Sequence, residues 1–176
     1  MAIKNPAPYR KFQKPYTRKS KVKSKGYIKT VPPAHVVKFV QGNSAKFNEG
    51  IYPFILRIVS QEEVQIRDVA LESVRAHLHR EIEEQIGADY YMAITVYPHH
   101  ILREHKQAAV AQADRMSQGM SLSFGKPTGR AAQVPKNKPI FVFAFPTSDA
   151  VDKFRGIYHK IRPKLPCKTT LEVQKK

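Results

Sequence analysis

The first thirty residues carry ten basic side chains and no acidic one. Three prolines and four aromatic residues lie between these cations, without the apolar spacing that places side chains on one face of a helix or a strand. Such a segment cannot bury enough apolar surface to offset the conformational entropy lost on folding. We therefore predict that residues 1–30 form an extended basic arm and that residues 31–176 form a single α+β domain.

The rest of the charge is also segregated along the chain. The 176 residues include 31 Lys and Arg against 14 Asp and Glu, a formal net charge of +17. Seven of the acidic residues lie within residues 61–86, and none lies between Arg115 and Ser148. An anionic partner would relieve the self-repulsion of such a surface. Nucleic acid is favoured over an anionic membrane because the arm has no amphipathic helix with a bulky apolar face.

Composition excludes several other classes of protein. No stretch approaches 18 consecutive apolar residues, so no bilayer span is predicted, and the N-terminus has no apolar core of a secretory signal. The single cysteine, Cys167, excludes an intrachain disulfide and a multi-cysteine zinc site. The arm's aromatic residues can stack on unpaired bases, a common means of gripping RNA.

Two helices are predicted to pack on the sheet of this domain. Ser60 and Glu63 have the spacing of a capping box, an apolar stripe follows from Leu71 to Ile86, and Gly87 supplies a left-handed stop. A second helix is expected to begin at Thr147-Ser148 and to end before Pro163.

The strand pattern predicts a mixed, largely antiparallel sheet, because strands and helices do not alternate regularly. Ile140–Phe145 is apolar at every position and is expected at the centre of the sheet. Residues Lys106–Gln133 show neither the apolar spacing of a helix nor that of a strand, and they are predicted to form a long flexible loop. The other strands are predicted at Val36–Gln41, Ile51–Val59, Tyr90–Tyr97 and Lys168–Val173.

No catalytic or metal-binding pattern is convincing. Five residues separate Gly119 from Gly125 where a phosphate-binding loop needs four, and Pro127 replaces the hydroxyl that would bind magnesium. The histidines near residues 99–105 lack a carboxylate cluster or cysteine to complete a metal site, and are interpreted as surface or phosphate-contacting residues. The paired glutamates fit the solvated face of an amphipathic helix. We predict no enzyme activity, cofactor or metal.

Four short blocks carry a resemblance to a known family. They are Pro15–Arg18, Tyr97–Arg103, the block from Ala113 to Met120, and Phe124–Ala131. The chain resembles the universal large-subunit ribosomal protein L-sixteen family, in its archaeal and eukaryotic branch called L-ten-e. The archaeal side is favoured because no eukaryote-like C-terminal extension follows.

The resemblance implies a hammerhead-type α+β fold and a structural role in the large ribosomal subunit, in the cytoplasm. Expected partners are large-subunit ribosomal RNA, the small ribosomal RNA of the central protuberance, nearby transfer RNA and other large-subunit proteins, with no membrane. The resemblance also implies that the protein supports subunit assembly and helps to position transfer RNA. On residues alone, an enzyme acting on RNA and an anionic-membrane binder remain alternatives.

The resemblance also implies which residues contact RNA. The arm contributes mainly cations, and the edge of the sheet contributes histidines and an arginine. The long loop contributes both cations and uncharged side chains. One departure is visible, because Pro8 stands where many relatives have Cys, and the arm's path between Arg18 and Tyr27 stays open. The expected RNA-binding residues are Arg10, Lys11, Lys14, Tyr16, Arg18, Lys19, Lys21, Lys23, Lys25, His99, His100, Arg103, Arg115, Met116, Gln118, Lys126 and Arg130.

Overall fold

The computed structural model describes residues 9–11, 28, 30–104 and 125–175. Strands and helices follow one another without a repeating order, as an α+β fold requires. In chain order they are β1 (Val40–Gly42), α1 (Ser44–Asn48), β2 (Phe54–Ser60), β3 (Val64–Arg67), α2 (Asp68–Gln85), β4 (Tyr91–Ile94), β5 (His100–Glu104), β6 (Lys126–Val134), β7 (Pro139–Phe145), α3 (Ser148–Ile161), a 3₁₀ turn (Arg162–Lys164) and β8 (Thr169–Lys175).

The described strands form two sheets. The larger has the order β1-β4-β7-β2-β8 and the smaller has the order β3-β6-β5. Every neighbouring pair is antiparallel. The prediction of an α+β fold with a largely antiparallel sheet and two packed helices is confirmed, although the strands divide between two sheets instead of one.

Strand β7 lies at the centre of the larger sheet, as its continuous apolar sequence predicts. Phe141, Phe143 and Phe145 are fully buried and lie on one face of the strand. Phe154 of α3 packs on this face, with its ring centroid 4.4 Å from Phe143 and 5.3 Å from Phe145. Tilted aromatic pairs of this kind stabilise a core by about 0.5–1.5 kcal/mol beyond the area that they bury.

The predicted capping box at Ser60 is wrong, because α2 begins at Asp68. Ser60 ends β2, and its hydroxyl donates to the backbone oxygen of Glu62 at 2.7 Å, which closes a turn. Residues Val64–Arg67 then form β3 and pair with β6. Buried Val64 and Ile66 alternate along this strand, and pairing with a strand from the second half of the chain overrides the local helical signal.

The other helix boundaries agree with the sequence. Gly87 follows α2 with φ of 104°, and its backbone N–H donates to the oxygen of Ile82 at 3.0 Å. Thr147 caps α3, its hydroxyl accepting from the N–H of Ala150 at 3.4 Å. Pro163 falls within the 3₁₀ turn that ends this helix.

Two predicted strands are shorter than expected. Of the first, predicted at Val36–Gln41, only Val40 and Gln41 pair with a neighbour, and β1 extends one residue further to Gly42. The short helix α1 that follows was not predicted. Residues Tyr90–Tyr97 contribute Tyr91–Ile94 to the larger sheet, and the chain passes Pro98 before β5 joins the smaller sheet. Proline cannot donate to a strand ladder, which fits the break.

The predicted loop at Lys106–Gln133 is wrong in its last part. Residues Lys126–Val134 form β6, the central strand of the smaller sheet. This sequence contains proline, glycine and two alanines, so it does not show the alternation of apolar and polar residues that is typical of a strand. Hydrogen bonding to β3 and β5 stabilises the strand instead. Residues 105–124 lie outside the described part of the chain.

The described part of the chain includes five residues of the predicted arm. Tyr9 and Ile28 are buried, although both fall within the segment expected to leave the core. Residues 9–11 pack on the smaller sheet through contacts described below. The remaining arm residues, 1–8, 12–27 and 29, lie outside the described part.

Gly42 gives a test of the junction between β1 and α1. Its φ is +80°, and a Cβ there would collide with the backbone oxygen of Tyr90. We expect Gly42→Ala to lower the free energy of unfolding by about 2 kcal/mol or more, measured by urea denaturation of the full-length protein. Gly156→Ala is the matched control, because nothing lies within 4 Å of its added Cβ in α3. It should raise stability by about 0.5–1 kcal/mol. Equal effects of the two substitutions would contradict this account.

Candidate nucleic-acid interface

The smaller sheet has two different faces. Successive side chains of a strand point to opposite faces, so the residues of β3 and β6 divide into two sets. Val64, Ile66, Ala132 and Val134 face the main hydrophobic core. The opposite face is contacted by Tyr9 and Arg10, so these two residues of the predicted arm are part of the folded domain.

Tyr9 anchors this covering segment. Its side chain is buried in a small cluster with Leu102 and Ala131. The guanidinium of Arg67 lies 5.1 Å from the centre of the Tyr9 ring, within the range of a cation–π contact. The amide of Gln65 donates to the backbone oxygen of Tyr9 at 3.0 Å. Tyr9 is therefore a point at which the arm is fixed to the sheet.

Arg10 extends the anchor by two polar contacts. Its backbone oxygen accepts from the N–H of Gln65 at 2.9 Å, in the manner of a strand pairing with β3. Its guanidinium donates to the Glu62 carboxylate at 2.6 Å. Both side chains of this ion pair are substantially exposed, so its net contribution to stability is about 0–1 kcal/mol. Neighbouring Lys11 is exposed.

His100 is buried on the same covered face of the smaller sheet. In the register, His100 lies opposite Ala131, next to the position covered by Tyr9. Burial lowers the pKa of its imidazole, and the nearby Arg103 lowers it further. The interpretation of His100 as a surface residue is wrong. Its expected contact with RNA stays a prediction.

Two buried polar atoms have no hydrogen-bond partner within the described residues: the imidazole Nδ1 of His100 and the side-chain oxygen of Gln65. Both residues lie on the face covered by Tyr9. Burying a polar atom without a partner costs about 1–3 kcal/mol. The covered face is therefore sensitive to any change in how residues 9–11 pack.

The predicted residues His99 and Arg130 both contact Tyr97. Arg130 donates from Nε to the backbone oxygen of Pro32 at 2.6 Å, and from Nη1 to the Tyr97 hydroxyl at 3.2 Å. The Tyr97 ring lies 4.4 Å from the His99 ring and 5.2 Å from the Phe39 ring, between centroids. Neither Tyr97 nor Phe39 was predicted as a functional residue. The sequence signal that could have identified Tyr97 is its position next to Pro98, with the aromatic ring of His99 on the other side.

The remaining predicted cations divide between described and undescribed parts of the chain. Lys126 is exposed at the start of β6, and Arg103 is partly buried on β5, where burial lowers the pKa of its guanidinium. The structure does not describe the other predicted RNA-binding residues, namely Lys14, Tyr16, Arg18, Lys19, Lys21, Lys23, Lys25, Arg115, Met116 and Gln118.

Helices α2 and α3, together called the helical layer, pair several of their charged side chains with one another. Arg75 donates to Glu72 at 2.6 and 2.8 Å, which lowers the pKa of that carboxyl. Lys160 of α3 reaches Glu81 of α2 at 3.0 Å and lowers the pKa of Glu81 in the same way. Further ion pairs join Lys46 to Asp89 and Arg155 to Asp152.

Two exposed cations lie in the turn that joins β6 to β7. Lys136 and Lys138 lie in this turn, and neither takes part in an ion pair within the described residues. The turn is bonded to the end of β2, where the Ser60 N–H donates to the Lys138 oxygen at 3.1 Å. These two lysines are exposed and available to an anionic partner.

The described residues hold neither of two other kinds of feature. Across 9–11, 28, 30–104 and 125–175, no group of three or more His, Cys, Asp and Glu side chains is placed to hold a metal ion. Neither α2 nor any other described helix combines the length and apolar character needed to cross a bilayer.

Comparison with known proteins decides the family. The family model described as ribosomal protein L16p/L10e matches residues 11–172. The chain belongs to this family. The match covers both sheets, α2, α3 and most of the arm, so the resemblance found in the sequence is confirmed.

Individual relatives of this L16p/L10e member are archaeal proteins named "Large ribosomal subunit protein uL16". The relative from Archaeoglobus fulgidus is 38% identical over 99% of this chain and 95% of its own length. That from Methanospirillum hungatei is 39% identical, covering 93% of this chain and 91% of its own length. That from Sulfolobus acidocaldarius is 34% identical, covering 94% and 90%.

The buried His100 predicts a pH dependence of stability. Its pKa in the folded protein lies below the ordinary value of 6.5, so below that pH the unfolded chain binds a proton that the folded chain refuses. The free energy of unfolding should therefore fall as pH is lowered from 7 to 5, by at most about 1.4 kcal/mol per pH unit for this group.

Urea denaturation at several pH values tests this expectation, with His100→Gln as the comparison. The variant should show a flatter profile between pH 7 and pH 5. His77, whose pKa burial also lowers, contributes a slope of the same sign in both proteins. Parallel profiles for the two proteins would show that His100 is not the titrating group.

Proposed function

We propose that this member of the L16p/L10e family is a structural constituent of the large ribosomal subunit, without catalytic activity of its own. In this role it binds large-subunit ribosomal RNA and contacts other ribosomal proteins in the cytoplasm. The observation that carries the proposal is the family match over residues 11–172, together with relatives named as large-subunit proteins that align over nearly their whole length.

The charge distribution supports RNA as the main partner. The helical layer pairs its acidic residues internally, whereas the arm contains ten cations and no acid. Each phosphate neutralised by a Lys or Arg releases a condensed counterion, which favours binding. Tyr9 fixes one point of the arm beside the smaller sheet. The exposed cations Arg10 and Lys11 follow it directly in the chain.

We place the binding site near the transfer-RNA sites of the subunit, with the small ribosomal RNA of the central protuberance as a further partner. In this arrangement the segment between β5 and β6 helps to position transfer RNA, and the arm supports subunit assembly. The acid-free sequence from Arg115 to Ser148 favours a location close to RNA.

A charge-matched pair of variants tests the role of the arm. Lys21→Gln, Lys23→Gln and Lys25→Gln together remove three positive charges while keeping the Tyr9 anchor. The affinity for large-subunit ribosomal RNA should fall with salt less steeply than in the wild type. The slope should change by about 0.7–0.9 log units for each phosphate that the arm no longer neutralises. Filter binding across a salt series measures it.

The control removes the same charge from the helical layer, with Lys153→Gln, Arg155→Gln and Lys164→Gln. These cations lie on α3 and in the 3₁₀ turn after it. We expect the control to keep the wild-type salt slope. An equally reduced slope in the two variants would mean that RNA binding depends on total charge and not on the arm.

The role in transfer-RNA positioning has a separate test. Replacing residues 106–124 by a short Gly-Ser linker leaves β5 and β6 in place, whereas a replacement that ran to residue 133 would remove the centre of the smaller sheet. We expect the linker variant to fold and to enter large subunits, because its core strands are intact. Those subunits should bind transfer RNA weakly or mature slowly, as judged by filter binding and sucrose gradients. Normal transfer-RNA binding would contradict this part of the proposal.

A further inference from the structure

Three aromatic rings form a column at the surface between the two sheets. Phe39 is the innermost ring and packs against the main hydrophobic core. The Tyr97 ring follows at 5.2 Å, tilted by 23°, and is 43% exposed. The His99 ring follows at 4.4 Å, tilted by 49° to the Tyr97 ring, and is exposed. Exposed aromatic surface of this kind is unusual in a domain that buries most of its other large rings.

Several contacts hold the column in one position. Arg130 donates to the Tyr97 hydroxyl at 3.2 Å and is itself fixed by the backbone oxygen of Pro32 at 2.6 Å. The N–H of His99 donates to the Tyr97 oxygen at 2.9 Å, across the buried Pro98. Rings that are fixed before binding lose little conformational entropy when a ligand stacks on them.

We propose that Tyr97 and His99 form a stacking site for an unpaired RNA base, with Arg130 beside it for the adjoining phosphate. This inference rests on the proposed RNA-binding function and specifies one site within it. Every base has an aromatic face, so a column of rings accepts a base of any sequence. A guanidinium next to the rings adds attraction to the phosphate that follows the stacked base.

The site selects unpaired RNA over a duplex. Bases inside a duplex are stacked on each other and expose no aromatic face to a protein. The described cations can contact phosphates of either form, whereas the rings gain contact only from a free base. Aromatic–base stacking is worth about 5- to 100-fold in affinity for each base. Removing the rings should therefore weaken binding of single strands and leave phosphate binding unchanged.

A fluorescence experiment tests the contact directly. The chain contains no Trp, so His99→Trp introduces a single reporter at the outer end of the column. The probe is a single RNA strand of about twelve nucleotides, compared with a strand of equal length and charge that lacks its bases. We expect the strand with bases to quench the reporter and the abasic strand to leave it unchanged.

His159→Trp is the matched control. His159 is also an exposed histidine beside a tyrosine, with its ring 5.8 Å from that of Tyr158, but it lies on α3 in the helical layer. Its reporter should respond to neither strand. Quenching of both reporters, or quenching by the abasic strand, would overturn the proposal, because it would show non-specific proximity to the backbone.

Affinity supplies the second measurement. His99→Ala leaves the contacts of Arg130 with Tyr97 in place, and Tyr97→Leu removes the central ring. The two together should weaken binding of the strand with bases by about 5- to 100-fold, with no change for the abasic strand. His159→Ala should change neither affinity.

The outcomes separate this proposal from the proposed function. If both strands bind the wild type equally well, RNA binding stands and the stacking site is wrong. If neither strand nor large-subunit ribosomal RNA binds, the proposed function itself fails. If the double variant keeps its affinity for RNA but no longer joins large subunits, the column contacts a neighbouring protein, and the stacking proposal is overturned.

Discussion

The fold depends on a long antiparallel ribbon that passes from one sheet into the other. Strands β2 and β7 pair in the larger sheet, and their continuations β3 and β6 pair in the smaller one. At the crossing, the Ser60 N–H donates to the Lys138 oxygen and the Asn137 N–H donates to the Ser60 oxygen. The register shifts between Ile58 and Val59, and irregularities of this kind let strands turn a corner between sheets. One pair of chain segments therefore fixes the relative position of both sheets.

Features that depend on neighbouring residues could be predicted from the sequence. The central strand β7 follows from six consecutive apolar residues, the cap of α3 follows from Thr147, and the end of α2 follows from Gly87. Features that depend on pairing between segments far apart in the chain could not be predicted. Ser60–Glu63 has the local pattern of a helix start, yet Val64–Arg67 pairs with a strand about seventy positions later in the chain.

The candidate site shows the same division. Cations of the arm and the family blocks predict residues for the proposed RNA-binding surface, because charge and motif are local properties of the sequence. The anchor at Tyr9 was missed, since a basic arm gives no sign that one of its tyrosines is buried against Leu102 and Ala131. Its partner Gln65 comes from the segment interpreted as helical, so the covered face could not be assembled from the sequence.

Strand β6 connects the two parts of the proposed RNA surface. Ala131 lies under Tyr9 on the covered face, whereas the preceding residue, Arg130, points to the opposite face and reaches Tyr97. A shift of β6 by one residue would exchange these faces, breaking the arm anchor and the aromatic column together. Pairing with β3 over four positions prevents such a shift, and so does pairing with β5 on the other side. The ribbon that places β6 therefore also determines where Tyr9 of the arm packs and how the Tyr97 ring is held.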